Sequence, residues 1–135
     1  MDVTPIRMNP PGLPDAGRLG YAQISVTNAQ RLAFVSGQVA VRAEGTPTPD
    51  SLEAQAGIVF DNLAEALAAL DAEPAQIVQM RIYVTDLCPE KMEVVMPQLS
   101  GFLNGVQPSV TGVGVSALAS PELQLEIEMV VSLPA

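Results

Sequence analysis

The sequence predicts an α+β domain, a mixed β-sheet with two helices packed on one of its faces. Three observations carry that reading. Two segments repeat apolar residues at spacings of three and four, the period of a helix. A stretch between them alternates strictly, the period of a strand, and the full order is strand, strand, helix, strand, helix, strand, strand. With 135 residues, 48% hydrophobic but only 4% aromatic, the chain makes one domain, residues 1–135, around an aliphatic core. A chain of this length buries about 68% of its unfolded surface.

The elements follow in order. Residues 1–19, with Pro5, Pro10, Pro11 and Pro14, read as an extended N-terminal arm. "YAQISVT" and "RLAFVSGQVAV" read as two strands joined by a short turn at Asn28, a hairpin. "RAEGTPTPD" is a loop, and Asp50 with Glu53 three residues later has the form of a capping box. Leu52, Ala56, Val59, Leu63, Leu67 and Leu70 then form one apolar stripe on a helix that must stop before Pro74.

From Gln79 to Thr85 the chain alternates, with Met80, Ile82 and Val84 pointing one way and Gln79, Arg81, Tyr83 and Thr85 the other. A second helix spans Pro89 to Leu103 on the spacing of Met92, Val95, Leu99 and Phe102, with Pro97 expected to kink it. Strands at Ser109–Ser116 and Glu122–Ser132, separated by "ALASPE", close the chain. Helices on one face leave the other face solvated or buried against another subunit. Tyr83, Thr85, Val113, Val115, Leu118 and "MVVS" favour burial, hence an oligomer.

Composition excludes whole classes of function. Fifteen acids against six bases give a net charge of -9, a field that repels phosphate backbones, and no basic tract offsets it, so no nucleic-acid partner is expected. The absence of histidine removes Ser-His-Asp and Cys-His chemistry and imidazole-ligated zinc. No metal and no cofactor motif is read, because Gly112-x-Gly114 lacks the third glycine of a dinucleotide site. No run reaches the ~18 apolar residues of a membrane helix, and the first residues lack secretory order. One cysteine, Cys88, allows no intrachain disulfide, in keeping with a cytoplasmic protein.

"LGYAQ", "FVSGQVAV", "EAQAGIVFDNLAEAL", "VQMRIYVTDL" and "PSVTGVGVSAL" followed by "LEIEMVV" together resemble the Rid family, also called YjgF/YER057c/UK114, from Gly20 to Val131. The resemblance implies a chorismate-mutase-like fold in a homotrimer whose sheets line a central barrel, with small-molecule clefts between subunits. Family members of the RidA type hydrolyse imines and enamines to a carbonyl compound and ammonia without a cofactor. In them a cleft arginine binds the substrate carboxylate and a last-strand glutamate manages water. An older ribonuclease label also attaches to the family, and the charge balance here speaks against it.

Carried over residue by residue, the glutamate corresponds to Glu126, the cleft tyrosine to Tyr21, and the loop after the second strand to Ser36, Gly37 and Gln38. The arginine does not carry over. Where the RidA pattern has Pro-Ala-Arg-Ser this chain has Pro108, Ser109, Val110 and Thr111, so Val110 stands in the cation's place, as in a variant subgroup with "T-x-V-x-V-S-A-L-x-x-P-E". Losing an arginine-carboxylate fork forfeits about 1.5–3 kcal/mol of charged hydrogen bonding, so an altered, less acidic substrate is expected.

Each candidate also has a plainer reading. Arg81 either compensates for the missing cation or neutralises Glu126 or Glu128 across neighbouring strands. Glu126 is either a base, placed in a cleft and buried beside Val110, or one of two acids on a strand face. Tyr21 either donates to a substrate oxygen, as Thr111 can, or anchors an interface. Ser36, Gly37 and Gln38 either offer backbone N–H groups or form a glycine bulge. Cys88, at a helix start, is either activated or incidental. Two functions survive: an imine or enamine deaminase, or a trimeric small-molecule-binding protein with no turnover.

Overall fold

The computed structural model describes residues 2–135. Strands β1 (Ile6–Met8), β2 (Ile24–Val26) and β3 (Arg31–Gln38) precede helix α1 (Leu52–Ala69). They are followed by β4 (Ile77–Thr85), α2 (Pro89–Leu103), β5 (Ser109–Val115) and β6 (Leu125–Leu133). The main sheet has the order β3-β6-β4-β5, with β6 antiparallel to both neighbours and β5 parallel to β4. A parallel neighbour needs a crossover, and α2 supplies it.

Both helices lie on one face, as expected. Leu52, Ala56, Val59, Leu63 and Leu67 of α1 and Val95, Leu99 and Leu103 of α2 are buried in one cluster with Met80, Ile82 and Val84 of β4 and Leu125, Ile127, Met129 and Val131 of β6. Phe60 and Phe102 meet between the helices with ring centroids 5.4 Å apart. The α2 helix runs on through Pro97, which has no N–H to give the Glu93 carbonyl.

Several expectations need correcting. The β2 and β3 segments do not form a hairpin: β2 pairs with β1, whereas β3 pairs with β6. Thr27 bonds Ser132 Oγ at 2.8 Å and Ser25 bonds Ser109 Oγ at 2.8 Å, so β2 is tied across the end of the sheet instead of continuing its edge. The arm is not simply extended, since it contains β1 and a 3-10 turn at Gly17–Leu19. Arg7 pins it, donating to the carbonyls of Ala75, Ile77 and Val78 and to Ser25 Oγ. That burial lowers the guanidinium pKa.

The cap of α1 is Ser51, not Asp50: its hydroxyl accepts from Ala54 N at 3.1 Å. Leu118 is absent from the open face and packs instead with Ala40, Ile58 and Leu123. Of "MVVS", Met129 and Val131 point into the core and Ser132 is buried, leaving Val130 opposite Phe34. Gln55, overlooked on the apolar stripe, is fully buried yet satisfied, donating to Pro49 O and Glu122 O and accepting from Gln124 N.

Candidate functional site

The face away from the helices is built from the alternate residues of the same strands. Arg81, Tyr83 and Thr85 share it with Thr111, Val113 and Val115 of β5 and with Glu126 and Glu128 of β6. Phe34 projects from β3 with 76% of its surface exposed, beside Leu32 at 41%. Sequence reasoning missed Phe34, although the inward alternation of Ala33 and Val35 would have placed it here.

Glu126 is seated by an irregularity in β3. The pairing of Val35 with Met129 is followed by that of Gln38 with Ile127, so Ser36 and Gly37 together stand opposite Glu128 alone. This is a bulge. Gln38 closes it by donating from Nε2 to Ser36 O at 3.1 Å. A methyl carbon added to Gly37 would stand 2.5 Å from Cδ and 2.7 Å from Cγ of Glu126. Glycine thus leaves free the space that the outer half of the Glu126 side chain occupies.

Glu128 is engaged differently. Tyr83 donates its hydroxyl to Glu128 Oε1 at 2.5 Å, and Arg81 Nη1 approaches the same oxygen at 3.5 Å. The bond to the carboxylate raises the Tyr83 pKa above the ordinary phenol value, with desolvation adding to it. A depression of about 170 Å³ lies beside this group, between Phe34 and Arg81. Roomier grooves lie away from it, about 820 Å³ beside the Arg42–Asp61 ion pair and about 500 Å³ along α2, and neither includes Glu126.

The remaining sequence candidates fall elsewhere. Val110 pairs with Met80 and packs against the core on the helix side, so within the chain it faces away from Glu126. Thr111 pairs with Arg81 on the open face and is exposed. Tyr21 follows Gly20, whose φ of 92° turns the chain, and precedes Ala22, which bridges to Ser109 at the start of β5. Ser109 pairs with Gln79, whereas Glu126 pairs with Tyr83, so Ala22 stands about 13 Å along the strand direction from the level of Glu126, and Tyr21, one residue earlier, stands farther still. Cys88 caps α2 without a side-chain bond and is half-buried.

The chain thus holds Ser36, Gly37, Gln38 and Glu126 together, and Arg81 with Glu128 and Thr111, but keeps Tyr21 and Val110 apart from them. Among the described residues no group of acids or cysteine that could hold a metal ion is present. No helix of the described residues is long and apolar enough to cross a membrane.

A mixed sheet with two helices on one face, and an acid-bearing open face on the other, is the chorismate-mutase-like α+β class. The family model described as endoribonuclease L-PSP matches residues 16–133. The chain is similar to the RutC family protein YjgH of Escherichia coli strain K12, at 34% identity over 96 residues, covering 71% of this chain and 72% of that protein. It is also similar to YyfB from Yersinia pestis, a protein of unknown function of the conserved Rid protein family. That structure shares 32% identity over 96% of this chain and 99% of the other, with a TM-score of 0.89. Rv2704 from Mycobacterium tuberculosis, of the YjgF/YER057c/UK114 family, is 25% identical over 93% of this chain and 98% of its own, with a TM-score of 0.66. The chain belongs to this Rid family.

Proposed function

We propose that the chain is a cytoplasmic homotrimer that hydrolyses a reactive imine or enamine in clefts between subunits. The observation that carries this is the seating of Glu126 over Gly37: a carboxylate held in a bulge, with no ion pair among the described residues. The separation of Tyr21 from Glu126 supports a composite cleft, because a second copy can bring its Tyr21 to the Glu126 of the first. Phe34 and Leu32 give the open face apolar surface to bury in such an assembly.

In this reading the imine reacts in its protonated, iminium form: Glu126 takes a proton from a water whose oxygen bonds to the iminium carbon, and the C=N electron pair moves to nitrogen. The proton then passes to that nitrogen. The C–N bond breaks, the nitrogen leaves as ammonia with the bonding pair, and the hydroxyl proton is released as the carbonyl forms. One water enters and one ammonium ion leaves, with no redox change. Tyr21 and Thr111 bind substrate oxygen, the N–H groups around Ser36, Gly37 and Gln38 orient it, and Arg81 fixes Glu128.

A second reading, binding without turnover, is favoured by Val110, which offers no charged donor to a substrate. Nucleic acid is disfavoured by the net charge of -9. The test is the solution mass together with ammonia release from an imine generated in place, for the protein and for Glu126→Gln. A trimer whose rate exceeds buffer and falls at least tenfold in Glu126→Gln supports the enzyme. A rate equal to buffer in both leaves the binding reading, and a monomer removes the composite cleft.

A further inference from the structure

Resting on that proposed cleft, we infer that it selects a cationic iminium or ammonium group on a substrate without a carboxylate. The argument is an inventory of charge. The chain has six basic residues, and most are committed elsewhere. Arg7 is held by the carbonyls of Ala75, Ile77 and Val78, Arg31 donates to Pro134 O, and Arg42 pairs with Asp61 at 3.1 Å. Lys91 donates to Thr85 O at 2.6 Å, and Arg81 is drawn to Glu128.

The open face therefore carries two acids, Glu126 and Glu128, against one base, Arg81, a local balance of two minus one in favour of negative charge. Glu128 Oε1 already receives both Tyr83 and Arg81. Glu126 receives no side-chain donor among the described residues, while its side chain lies over Gly37 at the bulge. A ligand there meets an unneutralised carboxylate. A carboxylate-bearing imine sets like charges side by side, whereas an iminium without one supplies the missing counter-ion. Val110, packed into the core, provides no donor to offset the repulsion.

Arg18 is the exception in the inventory. It is exposed in the turn before Tyr21, the segment that a neighbouring subunit would present. The experiment includes it for that reason. Propan-2-imine and 2-iminopropanoate, which differ by a methyl against a carboxylate, are each generated in place by oxidation of the parent amine. Ammonia release is followed for the protein, Glu126→Gln and Arg18→Gln. Binding of isopropylammonium and of propanoate is measured in parallel by calorimetry.

The expected result is at least tenfold preference for propan-2-imine, lost in Glu126→Gln and kept in Arg18→Gln. Equal or faster turnover of 2-iminopropanoate overturns the inference while leaving the deaminase reading intact, and its loss in Arg18→Gln would assign the carboxylate to that arginine. If neither imine is turned over, the deaminase reading fails by itself. The inference then stands on isopropylammonium binding that Glu126→Gln weakens at least tenfold with unchanged circular dichroism, and it falls if no such binding is found.

Discussion

Replacing Gly37 by alanine separates the placement of Glu126 from the stability of the sheet. The added methyl would overlap the outer half of the Glu126 side chain, at 2.5 Å from Cδ and 2.7 Å from Cγ. Overpacking against a rigid neighbour costs about 1–3 kcal/mol. Here the obstacle is a flexible side chain on an open face, so it turns to another staggered rotamer. Gly37 is not among the glycines with positive φ, and alanine recovers about 0.4–1 kcal/mol through the unfolded chain. The net loss of stability is therefore below about 1 kcal/mol, a drop of no more than about 4 °C in Tm. Turnover or ligand binding, in contrast, should fall at least tenfold, to the level of Glu126→Gln. Thermal unfolding by circular dichroism and ammonia release measure the two effects. Loss of more than about 3 kcal/mol would show that the bulge needs glycine for its backbone, and full function in Gly37→Ala would show that the position of Glu126 is immaterial.

Other expectations follow from the same structure. Gln55→Leu keeps the bulk of the side chain but strips partners from Pro49 O, Glu122 O and Gln124 N, and each buried group left unpaired costs about 1–3 kcal/mol; urea unfolding should show a midpoint well below that of the parent. Tyr83 ionises above the ordinary phenol range because it donates to Glu128, so the stability it contributes is complete below the unfolded phenol value and is lost as pH rises toward the folded one. Ultraviolet titration should show a late phenolate step that Tyr83→Phe removes; a titration unchanged by that substitution contradicts the hydrogen bond. Phe34→Asp places a charge on the most exposed aromatic of the open face and should yield a folded monomer by light scattering, while an unchanged assembly mass would place the subunit contact elsewhere.

The candidate site was legible in the sequence only in part. Glu126 and the Ser36–Gly37–Gln38 segment were both recognisable, but their contact was not, because it depends on a bulge that pairs two residues of β3 with one of β6. Arg81 was read as facing either Glu126 or Glu128, and the register chose Glu128 by placing it directly opposite. Val110 and Thr111 are adjacent in sequence but lie on opposite faces, Val110 toward the core beside Met80 and Thr111 toward the open side beside Arg81.

The sequence alone determined the kinds of element and their inner faces. The stripes Leu52 to Leu70 and Met92 to Phe102, and the alternation of Met80, Ile82 and Val84, are local periodicities, and burial of apolar surface acts on them wherever the segment ends up. Which strand pairs with which was decided only by tertiary structure. The same short apolar run of β2 could hydrogen-bond to β3 or to β1, and Arg7, Ser25 and Thr27 tip it toward β1 through partners distant in the chain. Backbone pairing is non-local and nearly indifferent to side-chain identity, so partner choice and register rest on long-range contacts that no window of sequence contains.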